Sequence, residues 1–358
     1  MDNLWLDIVI VVDNSKGMTQ DGLVQIAANI ASLFSPNMRL GKNYPDPRST
    51  RIGLVTYSNQ ATTVAELDDY TDYNKLLEAV FGLKVSDVDD SNLDKGLDRA
   101  SEVLENGRGK KTRLNYQQLM IVYASVYQGS GDLDPVHVAD RIKDSGVVIT
   151  TVGFDQNGDQ EFLKNLGNIA TARGFAFDNL DTNLVGDLQK VATQVNCFCP
   201  DNWEQYRANF ADDFSLKYGI CLLGSELASN WFSAKLSCQN IIKNGYLATE
   251  FDKKKHDFIF TMAQNSTLYD LPYSYFIGLE FANGGWYWQQ PKDRKPLSLG
   301  DNAFWGPGYP KSISSNTGVM NTQYGKGNTI GWQNVNTIRM DQNYICEVIG
   351  CDTDNYCA

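Results

Sequence analysis

LWLDIVIVVDNSKG, residues 4–17, joins an apolar run to the polar segment Asp13-Asn14-Ser15-Lys16-Gly17. The run has the length and near-continuous apolar character of a buried strand. An acidic side chain at the end of such a strand, followed two residues on by a hydroxyl, turns oxygens into the crevice above the carboxyl ends of the strands. Hard cations are often held by oxygens arranged in this way.

Working outward, residues 1–196 alternate strand and helix patterns. Strands are predicted at 6–12, 52–57, 118–124, 147–153 and 174–177, and amphipathic helices at 20–34, 73–82, 93–105, 135–144, 160–171 and 182–194. Strands separated by helices of this length imply an α/β doubly wound, mostly parallel sheet with helices on both faces.

The chain has 358 residues, enough for two domains with cores of their own. It carries a net charge of −12, of which residues 1–198 supply −9 through 18 Lys and Arg against 27 Asp and Glu. An acidic chain without a basic stripe is a poor partner for nucleic acid or anionic membrane. Lys253-Lys254-Lys255 is a basic cluster, read as a solvated helix face. No apolar stretch approaches the roughly 18 residues of a membrane helix, so no membrane span is expected. Asp2 and Asp7 interrupt the amino-terminal apolar stretch, which is not a leader peptide.

All seven cysteines lie at or after Cys197: Cys197, Cys199, Cys221, Cys238, Cys346, Cys351 and Cys357. None forms a Cys-x-x-Cys metal pair, so they read as disulfides of an oxidising compartment. The chain is therefore expected to be secreted and extracellular, shown without its leader. Asn265-Ser266-Thr267 is an N-glycosylation acceptor compatible with that. Six of the seven tryptophans also lie beyond Cys197. Helical patterning there is limited to 229–242 and 250–263, and the rest reads as short strands and turns. An α+β, disulfide-stapled domain is expected over 199–350, followed by a cysteine-containing tail at 351–358.

DIVIVVDNSKGM, RIGLVTYSNQA, SNLDKGLDRA and SGVVITTVGF followed by FLKNLGNIA together resemble the von Willebrand factor A domain over the first half. That resemblance implies a metal-ion-dependent adhesion site beginning Asp-x-Ser-x-Ser. Asp13 and Ser15 match it, Gly17 replaces the second serine, and Ser91 takes the place of a threonine. The aspartate expected at the end of the central strand falls at Ala124-Ser125. Magnesium needs near-octahedral oxygen coordination, and only part of the set remains. Asp87, Asp89 and Asp90 are nearby sources of negative charge. The alternative is that Asp13 caps a helix or bonds local amides. No cofactor is expected; magnesium or calcium is what the inherited ligands would take.

Cys199-Pro200 with Trp203 and Tyr206, Trp231-x-x-Ala234-x-x-x-Cys238, Phe276-Ile277-Gly278-Leu279, Trp286-Tyr287-Trp288 and Tyr344-Ile345-Cys346-Glu347 resemble a C-type lectin-like domain. That resemblance implies bridges Cys199–Cys221 and Cys238–Cys346, with a further family bridge absent at Gly318 and Thr337. A bridge from Cys197 to the tail is expected because the two ends of this fold usually meet. One of Cys197, Cys351 and Cys357 then stays odd. The family's calcium and sugar motifs fall on Tyr309-Pro310-Lys311 and Trp332-Gln333-Asn334, where calcium ligands are replaced. Tyr309, Lys311, Tyr324, Trp332 and Asn334 are the candidate ligand-binding residues, with Trp286, Trp288 and Trp305 assigned to the core.

Residues 155–161 (DQNGDQE) and 129–132 (GSGD) mimic a calcium loop and a phosphate cradle only loosely, and are read as a turn and a surface loop. With two histidines, His137 and His256, and no hydrolase or metalloprotease motif, the chain is not read as an enzyme. The order of domains resembles secreted nematode lectin-family proteins and implies recognition of an extracellular glycan or protein, in innate defence. The alternative is a structural protein that forms a homo-oligomer through the A domain or an odd cysteine.

Overall fold

The computed structural model describes all residues but 43, 110–112, 129–130, 155–159, 326–328 and 358, and excludes the side chains at 132, 160 and 163. The loosely calcium-like and phosphate-like segments fall largely on these positions, so both readings lie outside the described residues. Two compact units divide the chain, Met1–Cys197 with Asp352–Ala358, and Phe198–Cys351.

In the first unit, β1 (Leu6–Asp13), β2 (Arg51–Tyr57), β3 (Ala61–Ala65), β4 (Gln117–Ala124), β5 (Val148–Gly153) and β6 (Ala176–Asp178) form one sheet. Their order is β3-β2-β1-β4-β5-β6. All neighbours are parallel except β2 and β3, which run antiparallel. The edge strand β3 was not anticipated. Its alternating exposure fits an edge strand with one solvated face, and its Thr-rich sequence gives little hydrophobic signal.

Helices α1 (Thr19–Leu33), α2 (Tyr73–Phe81), α3 (Leu93–Arg108), α4 (Pro135–Asp144), α5 (Gln160–Ile169) and α6 (Leu184–Val195) connect the strands. Two begin at side-chain caps, Asp72 accepting from the Lys75 amide and Asp134 from the Val136 amide. The continuous apolar run of β1 has a simple cause. Leu6, Ile8, Ile10 and Val12 join one core with α1 and α6, and Val9 and Val11 join a second with α3. A strand covered on both faces has no polar side to alternate with. At the opposite end from Asp13, buried Asp7 accepts two hydrogen bonds from Arg51, 2.9 and 2.6 Å, and one from Arg113, 3.1 Å.

The tail packs on this first unit: Trp5 donates Nε1–H to the Asp352 carbonyl at 2.7 Å, and its ring meets Tyr356 edge-on at 4.9 Å.

The second unit contains β7 (Glu204–Arg207), β8 (Lys217–Gly224), β9 (Ser229–Asn230), α7 (Trp231–Ile241), β10 (Tyr246–Leu247), α8 (Lys253–Asn265), β11 (Tyr275–Ala282), β12 (Gly285–Trp288), β13 (Leu297–Ser298), β14 (Gly318–Tyr324), β15 (Thr329–Val335), β16 (Asp341–Gln342) and β17 (Ile345–Ile349). They build antiparallel sheets ordered β10-β17-β8-β7 and β13-β12-β11-β14-β15, with a small β16-β9 pair. Asn230 caps α7 and Asp252 caps α8 through the amides of Ser233 and Lys255.

Disulfides join Cys199 to Cys221 and Cys238 to Cys346. At Gly318, where a further bridge would start, an added Cβ would lie 2.7 Å from Trp231 Cγ, so the indole already fills that space. Cys351 and Cys357 are both disulfide-bonded as well. This corrects the expected bridge from Cys197 to the tail, because no tail cysteine is left for it; Cys197 is buried.

Candidate functional site

The first candidate site sits where β1 and β4 end side by side, at the point where the strand order reverses direction. Asp13 ends β1 and Ser125 directly follows β4. The loop after β1 is stitched to the segment before α3 by main-chain bonds, Lys16 to Val88 and Ser86 to Asn14, each 2.8 Å. Those bonds bring Ser91 over Asp13.

Asp13 and Ser91 are fully buried and Ser15 almost so. One Asp13 oxygen, Oδ1, accepts the Ser15 amide at 2.8 Å. The other, Oδ2, accepts the Ser91 hydroxyl at 3.0 Å, the Ser125 amide at 3.1 Å and the Ser125 hydroxyl at 2.6 Å. Tyr57 lies beside them at the end of β2, its phenol held well above the usual value by burial and by the Asp13 charge.

The structure thus brings Asp13, Ser15 and Ser91 together and adds Ser125, whose hydroxyl stands where the family's second carboxylate is lost. These residues do not fit a divalent cation. One carboxylate supplies a single negative charge, and three donors crowd its Oδ2 while a fourth occupies Oδ1. Ser15 Oγ is buried without a hydrogen-bond partner, the one loose oxygen among these ligands. Gly17 points its missing side chain inward: an added Cβ would lie 3.5 Å from Ser125 Oγ and 3.8 Å from Ser15 Oγ. Asp87, Asp89 and Asp90 are exposed, and Asp89 pairs with Lys16 at 3.5 Å, so they do not turn into the site. Among the described residues, no group of three or more His, Cys, Asp or Glu is placed to hold a metal.

The second candidate site is the long loop before β14. Two of its five expected contact residues need correction. Trp332 is fully buried and Asn334 nearly so, because both point into the interior from β15. Trp332 donates Nε1–H to Glu250 Oε2 at 2.6 Å, and Glu250 also meets His256 Nδ1 at 2.6 Å and the Tyr275 hydroxyl at 3.0 Å. Glu250 is itself fully buried.

Asn334 is a brace rather than a contact residue. Its Oδ1 accepts the Lys311 amide at 2.7 Å, and its Nδ2 donates to the carbonyls of Lys311 at 2.9 Å and Asn316 at 3.0 Å. Lys311 is exposed, with its ammonium 4.6 Å from the centre of the half-buried Tyr309 ring. Tyr324 is half-buried, its ring over Gly306.

The basic cluster also differs from expectation. Lys255 is only 2 % exposed, and its ammonium is 2.8 Å from both Glu347 oxygens. Cap placement at Asp252 turns that lysine inward, which a run of three lysines does not reveal. Neither Glu250 nor Glu347 carried a sequence signal of burial, since isolated glutamates are usually exposed. His256 is a satisfied core residue and His137 is exposed. Trp288 is buried in the core, and Trp286 and Trp305 pack half-buried against it.

Among the described residues, no helix is long and apolar enough to cross a membrane. Residues 7–191 match the von Willebrand factor type A domain. The chain is 27 % identical over 373 aligned residues to C-type lectin domain-containing protein 160 of Caenorhabditis elegans, covering 99 % of this chain and 55 % of that protein. It therefore spans about half the length of that curated relative.

Proximal thread matrix protein 1 of the mussel byssus is similar at 21 % identity and a TM-score of 0.42, over 53 % of this chain and 46 % of that one. The von Willebrand domain of a type V pili tip protein from Porphyromonas gingivalis is similar at 14 % identity and a TM-score of 0.42, over 54 % and 96 %. The antiparallel sheets and bridges of the second unit are consistent with a C-type lectin-like domain. With the family match covering more than half of its length, the chain belongs to the von Willebrand factor type A domain family.

Proposed function

We propose that this chain is the recognition part of an extracellular, non-enzymatic adhesion protein that binds a glycan or a protein without a metal ion. The observation that carries this reading is the brace at Asn334. Two amide hydrogens grip two loop carbonyls, as a cation would, while the amide oxygen accepts a loop N–H. The loop is thus held in shape with Lys311 and Tyr309 outward, an ammonium and an aromatic face able to meet hydroxyls, carboxylates or an apolar ring. The C-type lectin domain in the nematode relative's name and the A-domain family membership both support a recognition role.

Glycan arrays carrying animal and bacterial saccharides, with a partner pulldown from extracellular fluid, test the proposal with and without chelator. Binding that survives chelation and weakens about tenfold in Lys311→Ala, as loss of a charged contact implies, supports it. No binding in either format, or binding abolished by chelator, overturns it.

A further inference from the structure

Asn265, the acceptor of the Asn265-Ser266-Thr267 sequence, is the last residue of α8 and is exposed. The chain turns extended at Ser266, φ −93° and ψ 141°, so the acceptor stands at a helix end and not within a helix. It also lies on the rim of a cleft of about 620 Å³ between the β7–β8 hairpin and α8. A second cleft of about 430 Å³ adjoins it, and Asn265 and Phe210 line both.

The floor of the larger cleft is aromatic. Tyr206 and Tyr218 stack with ring centres 4.8 Å apart, and Phe258 meets Tyr206 edge-on at 5.0 Å and Phe210 at 5.3 Å. Asp257, Lys254 and Thr261 give it a polar rim. An aromatic floor under a polar rim suits a ring with one apolar C–H face and hydroxyls at its edge. The volume falls within the range of about 300–1,000 Å³ usual for small-ligand sites.

We propose that Asn265 carries an N-glycan whose first sugars lie in this cleft and cover the aromatic floor. The proposal rests on the extracellular part of the function proposed above. Attachment joins Asn265 Nδ2 to C1 of an N-acetylglucosamine delivered on a lipid diphosphate. The new C1–N bond replaces the C1–O bond to phosphate, the lipid diphosphate leaves, and Nδ2 gives up one proton. It keeps the other, which can still reach the Thr261 carbonyl now bonded at 2.8 Å.

The whole chain, fused to a secretion leader, would be produced in a glycosylating host and compared with Thr267→Ala and Asn265→Gln. Glycopeptide mass spectrometry reads occupancy, and hydrogen exchange reads the cover over residues 204–218 and 254–265. The expected result is an occupied Asn265 with exchange in both segments about threefold or more slower than in either variant. An empty acceptor in the secreted chain overturns the proposal, as does an occupied one with unchanged exchange. Thr267→Ala leaves Asn265 in place, so a folding defect confined to Asn265→Gln does not obscure the outcome. A fully glycosylated chain that binds nothing on the arrays counts against the recognition function and leaves this inference standing.

Discussion

Asp13 in the first unit and Asn334 in the second are both buried side chains that hold a loop above a sheet, but they do it with opposite chemistry. Asp13 only accepts. It gathers donors from three separate segments, through Ser15, Ser91 and Ser125. Asn334 accepts once and donates twice, all within one loop. A buried carboxylate needs donors from elsewhere, and the serine at position 125 supplies two of them. An amide needs no such help, because its NH₂ group can take over a cation's hold on carbonyl oxygens. The first unit therefore keeps a buried charge beneath neutral hydroxyls. In the second, the long loop is held by a neutral amide, while Glu347 pairs with Lys255 in the interior.

The largest effect is expected at that buried pair. Lys255→Met leaves Glu347 as an unpaired charge in the interior and should cost about 3–5 kcal/mol in denaturant unfolding. A cost below about 1 kcal/mol would mean that Glu347 is solvated or neutral and that the two units do not differ in this way. Asn334→Ala comes next. It strips partners from the Lys311 amide and two carbonyls, at about 1–3 kcal/mol. Hydrogen exchange should quicken across 309–316 and stay unchanged around Asp13; uniform change would show that the brace is not local.

A smaller effect is expected in the opposite direction at the first site. Gly17→Ser with Ser125→Asp returns a hydroxyl and a carboxylate to positions the backbone still presents. Titration calorimetry should show heat with magnesium for the double variant and none for the parent chain. Millimolar binding would raise apparent stability by about 1 kcal/mol at a few times the Kd. Heat from the parent would show that the single carboxylate suffices.

The smallest contrast is with pH. Burial pushes Tyr70 in the first unit and Tyr206 in the second up to about 12. Both stay neutral in the fold while the unfolded chain ionises near its ordinary value of about 10. Their contribution is complete below pH 10 and is lost as pH rises through the folded values. The tyrosinate absorbance that Tyr70→Phe or Tyr206→Phe removes should therefore appear together with unfolding, between about pH 10 and 12. Removal of absorbance that forms ahead of unfolding would mean that the ring is more open than the fold implies.

Much of the first site was legible because its residues announce themselves by order. Asp13 and Ser15 close a strand whose apolar run could be covered only on both faces, and Ser91 precedes a helix at the expected place. The role of Ser125 was not legible, since a serine in place of an aspartate reads as a loss until its hydroxyl is found 2.6 Å from Asp13. In the second unit the cysteine pairs followed from the resemblance, while Trp332 and Asn334, candidate ligand contacts by that same resemblance, are buried. Strand alternation offered no guide there, because Gly331-Trp332 and Asn334-Val335 are all buried.

The sequence by itself determined the alternation of strands and helices and the two-part organisation. Those features are written in periodicity, composition and spacing along one chain. Only the tertiary structure decided how Asp13 is satisfied, which lysine of three is buried, what braces the long loop and where Asn265 stands. Each of those depends on a partner tens of residues away, and a polar side chain acquires its role only from the donors, acceptors and dielectric that folding places around it.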